Sequence, residues 1–448
     1  MPRPAVPPRR STTDASAAAD VAWAAFPRGP WPAGDRLPQA TPSEARRAHL
    51  ELPRSLAVVP GAGVAQSPVF DPALTHYARA VRAGEPRFED AAAEARWHRA
   101  RRAVVDHVLE AVAGSRWVDD LVLRGSVLLK AWYGSVAREP GDLDFVVTPS
   151  GWDVGDGRTE RMFVDIARRA EHSSAADGGP YDVRVVSTLA LSDEIWTYDR
   201  VPGRRLVLPW RADGVPAGTV QLDFVFGEQL PSEPEPTEIP RSDGSGSHLL
   251  LGVTPGQSLA WKLLWLVDDI HPQGKDLYDA VLLAENTSLG VPLLRATFMA
   301  SDPSHGSRPF TADSLAARVD LREFHKEYPE LPGADLEARL LRALAPTFAA
   351  AAGVGANGYQ RAVLRLAPWI ARYGPFRDRP QVLLARLGAD SWHLDAAVVV
   401  YREVVGRGTC DIAEAARIVA EYRDVSGAYD GYYARNPHLI GEAIERLR

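Results

Sequence analysis

The chain has 448 residues, 46% of them hydrophobic, enough for two or three domains with cores of their own. A net charge of −7 excludes a bulk nucleic-acid binder, so an RNA partner would need a local basic patch. The single cysteine, Cys410, excludes an internal disulfide and points to a reducing, cytoplasmic setting, while no apolar run is long enough to span a membrane and the N-terminus lacks the apolar core of a signal peptide.

Residues 1–65 are rich in Ala, Pro, Arg and Ser with little periodicity, and are expected to be disordered or loosely attached. Residues 66–114 are expected to form N-terminal helices ending near Ala113-Gly114. Arg96, His98, Arg99, Arg101 and Arg102 cluster there as a first basic patch. The preceding acids Glu89, Asp90 and Glu94 offer them partners along the helix. A core of mixed helices and strands is expected over 115–250. Leu121-Val122-Leu123 reads as a short strand or a helix end, and the Gly125-Ser126 turn follows. Ser126 is expected to cap a helix from Val127 to Tyr133. Free N–H groups at a helix start bind phosphate, and Gly125 would let a ligand approach the backbone. Lys130, four residues after Ser126 on the same face, is placed to reach a phosphate as a point charge, or simply to face solvent.

Asp142 and Asp144 flank Leu143 ahead of Phe145-Val146-Val147. Alternation along a strand points both carboxylates one way and Leu143 and Phe145 the other. Paired acids repel each other in a half-buried sheet, and a hard divalent ion such as Mg²⁺ removes that cost. Turn chemistry at Pro140-Gly141-Asp142 accounts for Asp142 alone but not for Asp144. Arg200, Arg204, Arg205 and Arg211 form a second basic patch around an apparent strand, Leu206–Trp210. Asp223 lies in Val220–Phe226 and shares a face with Gln221 and Val225, either joining the two earlier acids or facing water from an edge strand. Gln229–Ser247, rich in Ser, Glu, Pro and Gly, is expected to be a mobile loop.

From 251 to 448 the pattern is helical. Thr254-Pro255-Gly256-Gln257 reads as a helix start, with Thr as N-cap, Pro at the first position and Gln at the third. Lys262 falls on the apolar stripe of Leu259 and Leu266, where it either meets an anion or snorkels to solvent. In Gly274–Ala280, Asp276 and Asp279 share a helix face, as a cap with a first-turn acid or as part of a site. Further apolar stripes occupy Leu336–Ala352, Tyr359–Tyr373, Leu394–Val405 and Ile412–Tyr422. The histidines show no paired metal-ligand spacing, so zinc is not expected.

Gly125-Ser126, Arg138 and Asp142-Leu143-Asp144 together resemble the first motif of polymerase-beta-type nucleotidyltransferases. With Lys130 and Arg138 inside the spacing, the segment is most similar to AbiEii-type nucleotidyltransferase toxins of type IV toxin–antitoxin systems. Pro140 stands where that family carries a small hydroxyl residue, which touches a local hydrogen bond rather than the metal site. The family's third acid is matched by Asp223 and its later lysine by Lys262. Its arginine- and aspartate-containing helix is matched by Asp276 and Asp279, with Lys275 in place of arginine. The likeness covers about 115–285.

The resemblance implies an α+β fold: a small mixed or antiparallel sheet with helices, plus a large C-terminal helical region. It implies Mg²⁺-dependent transfer of a nucleoside monophosphate from a nucleoside triphosphate to an acceptor hydroxyl. Asp142, Asp144 and Asp223 would hold the metal, with Asp223 as general base. Gly125, Ser126, Lys130 and Lys262 would bind phosphates, and Arg138, Lys275, Asp276 and Asp279 would support the nucleotide. A tRNA acceptor and a cognate antitoxin protein are the implied partners, with no membrane. The alternatives are a small-molecule nucleotidyltransferase of the antibiotic-modifying type and a non-catalytic nucleotide-binding module.

Overall fold

The computed structural model describes residues 12–448 apart from 177–180, 198–200, 303–304, 306–309, 316–318, 320, 332, 334, 353–357, 390–391 and 427–429. Of the segment 1–65 expected to be disordered or loosely attached, residues 1–11 lie outside the described residues, whereas 12–65 carry secondary structure and buried anchors. The chain up to α3 holds α1 (Thr12–Ala25), α2 (Glu44–His49), β1 (Val64–Ala65), β2 (Pro68–Phe70), β3 (Val81–Ala83) and β4 (Arg87–Phe88). β1 pairs with β4 and β2 with β3, both antiparallel. Trp23, Phe26, Trp31, Leu37, Leu52 and Leu56 bury against Val81. Those anchors are spaced too irregularly for either the helical or the strand period, so the sequence hides them. The expected helices of 66–114 reduce to α3 (Ala91–Ala113), capped by the Asp90 side chain on the Ala92 N–H; 68–88 is strand and turn.

The central sheet collects β5 (Leu121–Arg124), β6 (Leu143–Val147), β7 (Arg184–Val185), β8 (Leu191–Thr197), β9 (Val201–Ala212), β10 (Val215–Val225), β11 (Glu235–Pro240) and β12 (Ser247–Gly252). Between strands lie α4 (Ser126–Tyr133) and α5 (Gly157–Ala176). The spatial order is β11-β12-β5-β6-β10-β9-β7, with β8 also paired to β9. β12–β5 and β6–β10 are parallel and the other pairings antiparallel, so the sheet is mixed. The expected loop 229–247 is instead largely a hairpin, since β11 pairs with β12 from Glu235↔Gly252 to Pro240↔Ser247.

The register that matters joins β6 to β10: Leu143 opposes Leu222, Asp144 opposes Asp223 and Phe145 opposes Phe224. Alternation then gives the sheet two characters. On one face Phe145 stacks on Phe224 at 5.4 Å between ring centroids, and Phe163 of α5 packs on Phe224 at 5.0 Å. On the other face the carboxylates are left open.

The helical region comprises α6 (Pro255–Asp268), α7 (Gly274–Asn286), α8 (Val291–Ser301), α9 (Arg322–Glu327), α10 (Leu336–Ala343), α11 (Ala345–Ala352), α12 (Gly358–Tyr373), α13 (Pro380–Ala389), α14 (Leu394–Val405), α15 (Ile412–Val425), α16 (Tyr432–Arg435) and α17 (His438–Leu447). It divides between two cores. Leu259 of α6, Leu283 of α7 and Leu340 of α10 join the core of the sheet, whereas Leu366, Leu384, Val399, Val419 and Leu447 form a separate one. No helix among the described residues is long and apolar enough to cross a membrane.

Candidate active site

Adjacent strands in register bring the acids together. Asp142 precedes β6, Asp144 lies within it and Asp223 lies on β10, and one carboxylate oxygen of each falls within 4.8 Å of the others. It is the one group of His, Cys, Asp or Glu with metal-ligand geometry among the described residues. The turn after β5 lies directly beside it. Gly125 adopts φ +81°, and a Cβ there would collide with the Asp144 carboxylate. Only glycine allows so close an approach in that conformation. Gly125, not Ser126, caps α4; Ser126 is the first helical residue, and its buried hydroxyl has no hydrogen-bond partner among the described residues.

The acids are held in unequal states. Burial, and then the charge of Asp142, push the Asp144 carboxyl up to about 7 against the opposing Arg124. Burial acts on Asp142 too, but Lys275, Arg138, Arg82 and Arg205 hold it below the usual carboxylate range. Burial raises Asp223 although Arg205 opposes it. An all-carboxylate donor set suits a hard divalent cation, which would relieve the repulsion that raises Asp144. The unmet Ser126 hydroxyl at a helix start suits a phosphate oxygen. The residues present therefore fit a metal–triphosphate group.

Cations ring the site, most of them already engaged. Arg205 on β9 faces Asp223 across the sheet and donates to both of its oxygens at 2.8 Å, while its third nitrogen reaches Asp71 at 2.9 Å. Arg124, opposite Asp144 on β5, pairs with Glu228 at 2.6 Å and lies over the rings of Trp261 and Trp265. Lys262 is 4% exposed, and its amine contacts Asp276 at 2.7 Å and Asp279 at 3.1 Å. Arg138 grips Asp279 through Nε at 3.0 Å and Nη2 at 2.9 Å, and donates to the Tyr328 hydroxyl at 3.1 Å. Lys275 differs: it is half-buried, lines the space beside Asp142 and Asp144, and makes no hydrogen bond or ion pair among the described residues.

Two cavities meet at these residues. The smaller, about 140 Å³, is lined by Gly125, Asp144, Asp223, Lys262 and Lys275 together with Asp71 from the N-terminal segment. The larger, about 930 Å³, lies between the N-terminal segment and β9–β10 and reaches Asp142, Arg138 and Lys275.

Residues 107–353 match the family model described as nucleotidyl transferase AbiEii toxin, type IV toxin–antitoxin system. The chain belongs to the AbiEii toxin family. As a member it is a nucleotidyltransferase, the toxin side of a type IV toxin–antitoxin system. Among solved structures, MenT4, a nucleotidyltransferase toxin from Mycobacterium tuberculosis H37Rv, aligns with a TM-score of 0.39 and 20% identity over 61% of this chain and 89% of its own. No curated protein matches the chain by sequence.

The AbiEii region begins within α3, takes in the central sheet and the helices from α4 to α11, and leaves α1 to β4 and α12 to α17 outside. Within it, Asp142, Asp144, Asp223, Gly125, Ser126 and Lys275 come together. Lys262, Asp276, Asp279 and Arg138 form a buried network beside them that ties α6 and α7 to the loop before β6. Asp276 does not cap α7; Gln273 holds that position, and the Asp276 carboxylate is used on Lys262. Lys130, expected to reach a phosphate, pairs its amine with Glu139 at 2.7 Å and lines neither cavity.

The basic patches fare differently. Along α3, Arg96 pairs with Asp90, Arg101 with Glu85 and Arg102 with Glu139. In the second patch Arg204 pairs with Glu160, Arg211 is exposed, and Arg200 lies outside the described residues. Arg205 belongs to the site, which its sequence neighbourhood alone did not reveal. Asp71 was missed altogether, since Asp71-Pro72 signals only a turn or cap, and it does cap the short turn that follows.

Proposed function

We propose that this AbiEii enzyme uses Mg²⁺ to transfer a nucleoside monophosphate from a nucleoside triphosphate to the 3′ hydroxyl of a tRNA. The observation that carries the reading is the cluster of Asp142, Asp144 and Asp223 within 4.8 Å beside a glycine turn that only glycine can make. Asp142, Asp144 and Asp223 would hold the cation, which when bound neutralises phosphate charge and lowers the barrier to displacement. The Gly125-Ser126 turn and the start of α4 bind phosphate through backbone N–H groups and the Ser126 hydroxyl. Lys275, which makes no hydrogen bond or close ion pair among the described residues, adds charge to the triphosphate. Lys262 and Arg138 hold α7, and so Lys275, in place through Asp276 and Asp279.

The acceptor oxygen attacks the α-phosphorus in line, forming the new O–P bond. The bond from that phosphorus to the α–β bridging oxygen breaks, and pyrophosphate leaves. Asp223 takes the proton of the attacking hydroxyl. Its oxygens keep lone pairs beyond the two bonds from Arg205, since a carboxylate offers about four acceptor sites.

Incubation with each labelled nucleoside triphosphate, Mg²⁺ and total RNA tests the proposal. Label on tRNA that disappears in Asp144→Ala is the expected result. Label only on small hydroxylated compounds points to the antibiotic-type alternative. Absence of transfer to either, with nucleotide binding intact in both proteins, overturns the enzymatic proposal.

A further inference from the structure

We propose that the cavity of about 930 Å³ between the N-terminal segment and β9–β10 is the acceptor channel, and that it takes the unpaired end of a nucleic-acid strand. The inference rests on the nucleotidyltransferase reading of the acids and adds where the acceptor lies and what confines it.

Direction comes first. Thr219, Gln221 and Asp223 alternate along β10 and so share one face, opposite Pro209, Val207 and Arg205 of β9. Thr219 and Gln221 form part of the cavity floor, and Asp223, next on that face of the strand, lines the adjoining smaller cavity. Asp142 lines both cavities, but Gly125, Asp144 and Asp223 line only the smaller one. The larger space therefore meets the acids at Asp142, away from the Gly125 turn. In-line displacement needs the attacking hydroxyl and the leaving pyrophosphate on opposite sides of the phosphorus. With the phosphates on the Gly125 turn, the attacking group comes from the larger cavity.

Size and charge choose the occupant. The volume stands near the top of the roughly 300–1,000 Å³ range of small-ligand sites. It leaves room for a few unstacked residues of a strand but not for a paired helix. At the floor's outer end Arg211 is exposed and makes no ion pair among the described residues. In a chain of net charge −7, an unpaired cation at such a position favours a phosphate-bearing strand over a neutral acceptor. Trp97 and Trp210 form part of the wall and present aromatic surface to it. The roof, including Ala57 and Gly84, belongs to the N-terminal segment, outside residues 107–353. Acceptor choice would thus be set by a part of the chain that the family region does not contain.

The test separates nucleotide binding from strand binding in the full chain. Thr219→Trp narrows the channel from the floor and Ala57→Trp from the roof, so a folding defect in one leaves the other informative. Arg211→Glu reverses the charge. Calorimetry with a non-hydrolysable triphosphate and Mg²⁺ reads the first activity; fluorescence anisotropy of a short single-stranded oligoribonucleotide reads the second. We expect the two tryptophan variants to weaken oligonucleotide binding by about tenfold or more while leaving triphosphate affinity within about twofold. Arg211→Glu should weaken strand binding and reduce its salt slope by about one or more ions. Loss of triphosphate binding with strand binding retained would make the cavity a nucleotide pocket and overturn the proposal. Strand affinity indifferent to all three variants overturns it as well. A wild-type protein that binds the strand but no triphosphate instead sinks the nucleotidyltransferase reading beneath it.

Discussion

At the scale of single residues, the acids are held by a frame that reaches far along the chain. Asp223 is gripped by Arg205, and Arg205 in turn by Asp71 of the N-terminal segment. Asp223→Asn should lower kcat on the order of 10²–10⁴-fold, the usual worth of a positioned base, with triphosphate affinity little changed. A kcat within a few-fold of wild type removes Asp223 from that role. Asp71→Asn should slow transfer about tenfold without changing the KM for triphosphate, because Arg205 loses one of its two anchors rather than a substrate contact. Arg205→Lys should do no better, since one ammonium cannot replace a planar fork. The buried Asp279 belongs to stability. Burial works against its charge, but Arg138 and Lys262 hold its carboxyl below the usual range. Its folded value therefore lies below the unfolded one of about 3.9, so its contribution is complete above that pH and is lost as pH falls through the folded value. Asp279→Asn should cost about 3–5 kcal/mol at pH 7 by leaving Arg138 unpaired, and should flatten the acid limb of the stability curve. Denaturant melts at pH 7 and pH 3 check both.

At the scale of elements, the most informative pieces are those whose pattern is short and strict. The alternation of β6 and of the end of β10 announced which residues face the core, and the Thr254-Pro255 start of α6 is a working cap, with the Thr254 hydroxyl accepting from the Gln257 N–H at 3.1 Å. Elements without such a pattern escaped notice. β11 alternates poorly and carries prolines at both ends of Pro236–Pro240, so it read as a loop until β12 supplied its partner. The turn between β5 and α4 is the element on which the site depends. Gly125→Ala puts a Cβ on a backbone at φ +81° and ψ −154°, a region essentially restricted to glycine, at a cost on the order of 1–3 kcal/mol, and drives that Cβ into Asp144. The variant should keep its far-ultraviolet circular dichroism but lose divalent-cation affinity in titration; unchanged affinity would show that the turn does not set the acid geometry.

At the scale of the whole molecule, the N-terminal segment is bound into the enzyme rather than appended to it. Arg82 on β3 forms a two-point ion pair with Glu327 of α9, and Asp193 on β8 accepts from Ser55 and from the Tyr77 hydroxyl. The segment thus bridges the sheet and the helices across the catalytic cleft. Arg82→Ala should loosen this bridge and leave Glu327 buried without its partner. Limited proteolysis should then nick the chain before α3 faster than in wild type while the second helical core, which shares none of these contacts, stays resistant. Equal cutting rates for both proteins would mean that the segment is held by its apolar anchors alone.

The sequence by itself determined the family, and with it the nucleotidyltransferase class: a glycine turn, two acids one residue apart, a third on a matching strand and a lysine-bearing helix are local patterns, and local patterns survive without coordinates. It also determined that α6 begins at a cap and that β6 and β10 each have one apolar face. Tertiary structure alone decided which charges are spent. Lys130 on Glu139, Lys262 on Asp276 and Arg138 on Asp279 are pairings over distances that no periodicity reports, and among the described residues they leave Lys275 without a hydrogen bond or close ion pair, acting on Asp142 through its charge. Tertiary structure also decided that residues 12–65, poor in any regular pattern, pack beside the sheet and line the larger cavity. The physical reason is the same in each case. A side chain's periodicity depends on its neighbours in sequence, whereas its electrostatic partner and its burial depend on what the fold brings next to it.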